Sequence, residues 1–592
     1  MFSVKRTLAL PALICVLSLD ASAQTTPESR DKLFYPACRP FAERYTFDCY
    51  HNFVEMQQFL EDAAARYPGL ARVSSLGKSF QGRDLWLITI TDFESGDPES
   101  KPAIWVDGGI DSDEVIATEA ALGLVHELLT SREDEVRELL RTRTFYIAPN
   151  VIPDGSEIQH TTPERARDAT LRPWDDDNDG LLDEDGVEDL DGDGQALQMR
   201  KVDVTGNLVA DERDERIMRE RRPGDTGPFY RLYSEGTDDD GDGRYNEDRP
   251  GGIDPNRNYP GNWSLAQNGA GPFAGSEFEL RAMLDFIASH PNIAASQHFH
   301  SSGGVVLHPP SVPEWQLPNA DFELYAEVSR RGLEVTGYNL ATSVYDWSWP
   351  RGSGNRKRGQ IYRNSEGEVR GWPMGSDDYP AYGGSIDALY QVFGVLAFAN
   401  EIYQLGEDED NNGAISELER IRADDEELDG AAFKEWESFD HPQLGEVEIG
   451  GWRKFGQNNP IGDRLQEEVD RNVRFVLMQA EITPLLEIGN VEVESLAGSA
   501  YRITATIFNS SHQPTELAIR HTTNRAVPVR ATIETGTNVE LISSEAQVDV
   551  GTIGGHSEAE VEWIVIAPAG GTVTVKVWHP KAGRAEEEVE LR

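Results

Sequence analysis

Over residues 45–160 the hydrophobic period switches back and forth between that of a helix and that of a strand. This alternation restricts the possible folds more than any other feature of the chain. "NFVEMQQFLEDAAARYP" places Phe53, Met56, Phe59 and Leu60 on one helical face. "DLWLITITD" reads as a strand, "AIWVDGG" as a second, "VIATEAALGLVHELL" as a helix, and "RTFYIAPNVIPDG" as a third strand with its loop. Such alternation implies an α/β class: a mixed, mostly parallel sheet with helices on both faces.

The pattern breaks at about residues 165–250, which hold "DDDNDGLLDEDGVEDLDGDGQ" and "DDDGDGRYNED". Few apolar residues lie between these runs, so the segment is expected to be an insertion without a core of its own. Sheet and helix signals resume at "HPNIAASQHFHSSGGVVLHPP" and "IDALYQVFGVLAFANEIYQL". Residues 441–487 read as a linker with a helix near 463–485. From 488 to 592 short alternating strands such as "RITATIFNSS" and "GTVTVKVWH" are separated by Gly, Asn and Ser turns. That spacing predicts an accessory β-sandwich.

The chain has 54 Lys and Arg against 104 Asp and Glu, a net charge of −50 over 592 residues. That is too long for one ordinary domain and too acidic for nucleic-acid binding. At the N-terminus, Lys5 and Arg6 precede the apolar run "TLALPALICVL" and the Ala21-Ser22-Ala23 cleavage pattern. Residues 1–23 therefore read as a signal peptide, and the protein is expected to be secreted or periplasmic. No other run is long or apolar enough to span a membrane. Of the three cysteines, Cys38 and Cys49 remain after cleavage. In an oxidising compartment they are expected to pair, stabilising by roughly 3 kcal/mol, with two free thiols as the alternative.

In "WVDGGIDSDEVIATEAA" a strand runs into two glycines, then Asp111-Ser112-Asp113-Glu114, then a helix. Ligand sites of α/β proteins lie at such strand ends. Asp111 and Glu114 are either metal ligands or acidic residues capping the helix. His298 and His300 are i and i+2 on a predicted strand, so they share a face at roughly 6.5–7 Å. "DEDNNGAISELE" fits the calcium-loop template position by position. Asp408, Asp410, Asn412 and Ser416 are its candidate ligands, with Glu419 as the bidentate residue. Three looser copies lack that glutamate: Asp175, Asp177, Asp179; Asp189, Asp191, Asp193; and Asp238, Asp240, Asp242. Each is either a calcium loop or a solvated acidic loop.

Several stretches together resemble the M14 family of zinc carboxypeptidases. They are "YPGLARVSSLGKSFQGRDLWLITIT" with "WVDGGIDSDE", then "DPNRNYPGNW", "FHSSGGVVLHPP", "YPAYGGSID", and Glu401, 14 residues past Asp387. The resemblance covers about residues 45–440 and implies peptide or protein C-termini as substrate and a zinc or other divalent transition metal. It implies Glu114 and His300 as ligands, with Asp111 where the family has its first histidine; the strand spacing makes His298 either an alternative ligand or a satisfied core histidine. It also implies Glu401 as general base, Tyr379 as a mobile hydroxyl donor, Arg200 as the oxyanion-stabilising arginine, Asn256 and Arg257 as the carboxylate clamp, and Ile386 as an apolar pocket floor.

Asp111 admits three readings: a working ligand, the mark of a weakened metal site, or a helix cap alone. Two functions follow. One is a metallocarboxypeptidase that hydrolyses C-terminal residues with a metal-activated water and is stabilised by calcium. The other is a catalytically weakened or inactive peptide-binding protein of the same fold.

Overall fold

The computed structural model describes residues 37–175, 180–183, 185–239, 241, 243–246, 249–347, 361–363, 369–371, 380–409, 415–568 and 570–592. The expected signal segment lies outside these residues. No described helix is long and apolar enough to cross a membrane.

The chain begins with strands β1 (Ala71–Lys78), β2 (Asp84–Ile90), β3 (Ala103–Asp107) and β4 (Thr144–Ala148). The acidic insertion contributes β5 (Gln198–Val202), β6 (Leu208–Asp211), β7 (Asp214–Glu220) and β8 (Tyr230–Ser234). Then follow β9 (Ile293–Ser301), β10 (Val305–His308), β11 (Leu340–Ser343), β12 (Ile361–Arg363), β13 (Val369–Gly371) and β14 (Leu396–Ile402). Ten of these strands form one mixed sheet in the order β1-β2-β4-β3-β9-β14-β10-β11-β12-β13. Its centre, β4-β3-β9-β14, is parallel, and β1 and β2 join it antiparallel. β3, β4 and β9 are buried at every residue, which explains their unbroken apolar character.

Helices cover both faces. On one, Phe53–Arg66, Ile116–Thr130, Asn319–Thr336 and Asp463–Ile482 pack around Phe59, Leu124, Val328 and Phe475. On the other, Phe278–Ser289 contributes Leu280, Met283 and Ile287. Gly123 lets two of these helices meet closely, because a Cβ there would lie 2.2 Å from Val469 Cγ1. Cys38 and Cys49 form a disulfide.

The insertion differs from expectation. Its strands pair with a hairpin, β15 (Phe433–His441) and β16 (Gly445–Trp452), in a six-stranded antiparallel sheet ordered β15-β16-β5-β8-β6-β7. Met199 of the insertion packs with Val447 and Ile449 of the hairpin. The acidic segment thus obtains a core by sharing one with residues some 200 positions later. Residues 445–452, expected as linker, are a sheet strand.

Strands β17 (Leu486–Ser495), β18 (Ala500–Asn509), β19 (Val529–Thr535), β20 (Glu540–Leu541), β21 (Gln547–Gly551), β22 (Ser557–Ile566), β23 (Gly571–His579) and β24 (Gly583–Leu591) make two four-stranded sheets. They face each other across Ile503, Trp563 and Val575. Buried Arg143 donates to Thr483 Oγ1 at 2.7 Å and to Ser511 Oγ at 3.1 Å, and Gln513 Nε2 donates to Ala294 O at 3.1 Å. These contacts dock the sandwich at the start of β9, six residues or roughly 20 Å before His300.

Candidate metal and peptide site

β3 ends at Asp107, and Gly108 and Gly109 turn the chain toward the next helix. A Cβ at Gly108 would lie 2.5 Å from Ala117 O, and Gly109 has φ +63°. The turn presents Asp111 and Glu114 to His300 near the end of β9. His300 Nδ1 lies 2.9 Å from Asp111 Oδ2 and 3.0 Å from Glu114 Oε2. The three donor atoms lie within 4.8 Å of one another. The helix Ile116–Thr130 does not use Asp111 as a cap: its N-cap is Val115 without a side-chain bond, and Asn459 Oδ1 accepts from Ile116 N at 3.0 Å.

This donor set fits a cation. One Nδ1 carries at most one hydrogen, yet two carboxylates converge on it. Asp111 Oδ1 is buried without a hydrogen-bond partner, a costly state that an ion would relieve. Burial raises the Glu114 pKa well above its usual range, and Asp111 adds to the effect. Burial works to lower that of His300, but Asp111 and Glu114 outweigh it and raise the imidazole pKa well above normal.

Glu401 on β14 is in register with His300 on parallel β9, which places both side chains on one face. Burial pushes its pKa up to about 7; His300 and Arg257 oppose the rise and Asp111 adds to it. Arg257 ends a short turn, Pro255–Arg257, that Asp254 caps by accepting from Asn256 N at 2.7 Å. Arg257 Nη1 donates to Asn256 O at 3.0 Å and lies 3.7 Å from Asp254 Oδ2. Asn256 Oδ1 accepts from Ser385 N at 3.1 Å. Gly383, at φ +75°, wraps this turn so closely that a Cβ would lie 2.2 Å from Arg257 O. Ile386 is buried in an apolar cluster with Leu307, Val344 and Leu389.

Two acidic residues that the sequence reading missed join the group. Asp254 has its pKa pushed up to about 7 by burial, against Arg257 and with help from Asp111. Its position at the head of "DPNRNYPGNW" was the available signal. Asp168 is exposed, while surrounding protein, then Asp113, Asp111, Glu114 and Asp254, push its pKa up. No spacing rule marks it.

Other expected residues stand elsewhere. His298 is fully buried, with Nδ1 2.9 Å from Asp107 Oδ1 and Nε2 3.2 Å from Ser296 Oγ; it is not in the ligand group. Arg200 is also removed from the site, because "QMRKV" forms β5 of the insertion sheet. Its guanidinium donates to Glu448 at 2.8 Å and to Glu215 O at 2.9 Å, and sits over the Trp436 ring. Tyr379 lies outside the described residues.

Among the acidic loops, Asp177, Asp179, Asp240, Asp242, Asp410 and Asn412 also lie outside the described residues, whereas Asp175 lies within them. Asp189 accepts from the backbone N–H groups of Gly192, Asp193 and Gly194. Its partners Asp191 and Asp193 both hold the ammonium of Lys434, at 2.7 Å for Asp193. Asp238 accepts from Gly241 N at 2.7 Å. Ser416 caps the helix Glu417–Glu427 in a capping box with Glu419, which also accepts from Glu409 N at 2.8 Å. Glu419 thereby ties the two ends of the loop that starts near Asp408.

A family model described as "Zinc carboxypeptidase" (Peptidase M14) matches residues 56–185 and 229–427, more than half of the chain. A second, "Domain of unknown function (DUF8731)", matches residues 485–590. Zinc carboxypeptidase A 1 of Drosophila melanogaster is 33% identical over 119 residues, covering 20% of this chain and 28% of that protein. Carboxypeptidase A2 of Rattus norvegicus is 23% identical over 385 residues, covering 63% of this chain and 67% of that protein. A crystal structure of thrombin activatable fibrinolysis inhibitor aligns at 18% identity with a TM-score of 0.40, over 64% of this chain and 73% of that one. Over residues 56–185 and 229–427 the chain belongs to the zinc carboxypeptidase family.

Proposed function

We propose that this chain is an exported metallocarboxypeptidase that removes C-terminal residues from peptides. The observation that carries the reading is the convergence of Asp111, Glu114 and His300 beside Glu401, with Arg257 close enough to act on Glu401 electrostatically. Asp111, Glu114 and His300 would hold zinc or another divalent transition metal. When bound, that ion supplies Lewis acidity and a water acidic enough to attack at neutral pH. Two carboxylates and one imidazole leave less positive charge than a two-histidine set, so a harder ion such as manganese competes better here.

The protein's own groups do the rest. Glu401, with a pKa near 7, takes a proton from the attacking water and returns it to the leaving amine. Arg257 and Asn256 bind the substrate's free α-carboxylate, a match for a planar guanidinium. Ile386 lines the apolar end of the C-terminal side-chain pocket. Tyr379 donates its hydroxyl over the bound peptide. Calcium orders the 408–419 loop through Asp408, Asp410, Asn412, Ser416 and Glu419. In the 189–194 loop Lys434 already supplies the positive charge.

The decisive experiment measures bound metal and the release of free amino acids from N-blocked peptides, with and without Glu401→Gln. About one metal per chain and release abolished by Glu401→Gln are expected. Asp111 favours a second reading, a weakened site that only grips peptide C-termini through Arg257. Saturable peptide binding with no release by the metal-loaded chain would establish that reading and overturn the first.

A further inference from the structure

A cavity of ≈270 Å³ lies between the insertion sheet and the catalytic unit. Arg165, Arg249 and Lys454 line it, with Gln198, Gln457 and Trp452 among its other walls. No carboxylate lines it among the described residues, although acids outnumber bases almost two to one in the whole chain. Arg165 and Arg249 are 32% and 33% exposed, so both guanidinium groups can reach a solute. Lys454 is buried and donates to the carbonyls of Gln159 and Thr162 rather than to an acid. Arg249 has modest partners: Arg165 O at 3.3 Å and Glu164 at 4.0 Å. Burial lowers the pKa of Lys454 to about 7, against Glu164 and with help from Arg165.

The cavity is tied directly to the ligand turn. Arg165 Nε donates to Asp113 at 2.9 Å, one residue from Glu114. Beyond Gln457, Asn458 O accepts from Ser301 Oγ, and Asn459 Nδ2 donates to Asp113 O at 2.8 Å. The cavity is therefore linked through Arg165 to the ligand turn, and through the residues after Gln457 to both that turn and the end of β9. None of its walls comes from the Asn256, Arg257 and Ile386 group that would take the C-terminal residue.

We infer that this cavity is an anion subsite, which binds an acidic side chain of the peptide on the N-terminal side of the scissile bond. The inference rests on the carboxypeptidase reading and adds a substrate class to it: peptides with Glu or Asp shortly before the residue removed. Two guanidinium groups, with Lys454 beside them able to take up a proton when an anion enters, offset the long-range repulsion that such peptides meet from a chain of net charge −50.

The test uses fluorescein-labelled peptides with one fixed free C-terminal phenylalanine and Glu, Gln or Lys at each of the four preceding positions. Turnover is measured with the unaltered metal-loaded chain, and binding by anisotropy with Glu401→Gln. At one position Glu should exceed Gln by about tenfold in both kcat/KM and affinity. Arg249→Gln should collapse that ratio toward one, and Arg249→Glu should turn the preference toward Lys. Turnover of all peptides with a Glu-to-Gln ratio near one, or a ratio untouched in Arg249→Gln and Lys454→Met alike, would overturn the subsite. If no peptide is hydrolysed, the enzymatic reading fails, and anisotropy still decides the cavity.

Discussion

Substituting Glu114→Gln separates a metal site from a mere ion pair around His300, because the first places the loss of stability in the metal-loaded protein and the second in the metal-free one. Burial and Asp111 raise the Glu114 pKa well above its usual range, against His300, so without metal the charged carboxylate is disfavoured there. An amide of the same shape then costs little, about 1 kcal/mol or less. With metal the balance changes. Zinc at about 100 times its Kd stabilises the unaltered chain by about 2.7 kcal/mol. Losing a direct ligand should weaken binding by at least the roughly 100-fold that loss of an outer partner can cost. At the same zinc concentration the variant then gains only about 0.4 kcal/mol. Scanning calorimetry on chelator-stripped protein, repeated with added zinc, reads both numbers, and metal analysis reads occupancy. If the pair were structural only, the stripped variant would lose about 3–5 kcal/mol and zinc would move both proteins equally. Either result refutes the metal assignment.

Other consequences follow from the same geometry. Gly383→Ala places a Cβ 2.2 Å from Arg257 O at φ +75°, so the clamp must shift by about 1 Å; KM for peptides with a free carboxylate should rise tenfold or more, while C-terminally amidated peptides, which bind without the clamp, change little. Lys454 titrates near 7 when folded and near 10.5 when unfolded, so the unfolded chain binds more protons between those values and stability should rise with pH across that window. Lys454→Met should remove up to about 1.4 kcal/mol per pH unit of that slope, and denaturant titrations from pH 7 to 10 measure it. EGTA should lower the melting temperature through the 408–419 loop; an unchanged midpoint, or an equal loss in Glu419→Gln, would count against calcium there.

The sequence showed the central sheet clearly, because β3, β4 and β9 are buried on both sides and their composition shows it. The resemblance to the zinc carboxypeptidases pointed to Asp111, Glu114 and His300, and the fold brings these three together from the turn after β3 and the end of β9. Arg200 was misplaced for the opposite reason: its strand pairs with β16, nearly 250 residues later, and no local pattern encodes that partner. His298 shares its strand face with His300 but is satisfied by Asp107, a residue that read only as the end of β3. Lys434 in the 189–194 loop was equally invisible, since its approach depends on the distant hairpin.

That shared hairpin makes the acidic segment and residues 433–452 a single unit for truncation as well as in space. A shortened chain that lacked the insertion alone would leave β15 and β16 with an open edge and bare Val447 and Ile449, inviting aggregation. The two stretches must therefore be removed together or not at all, and the cationic recess between them and the central sheet goes with them.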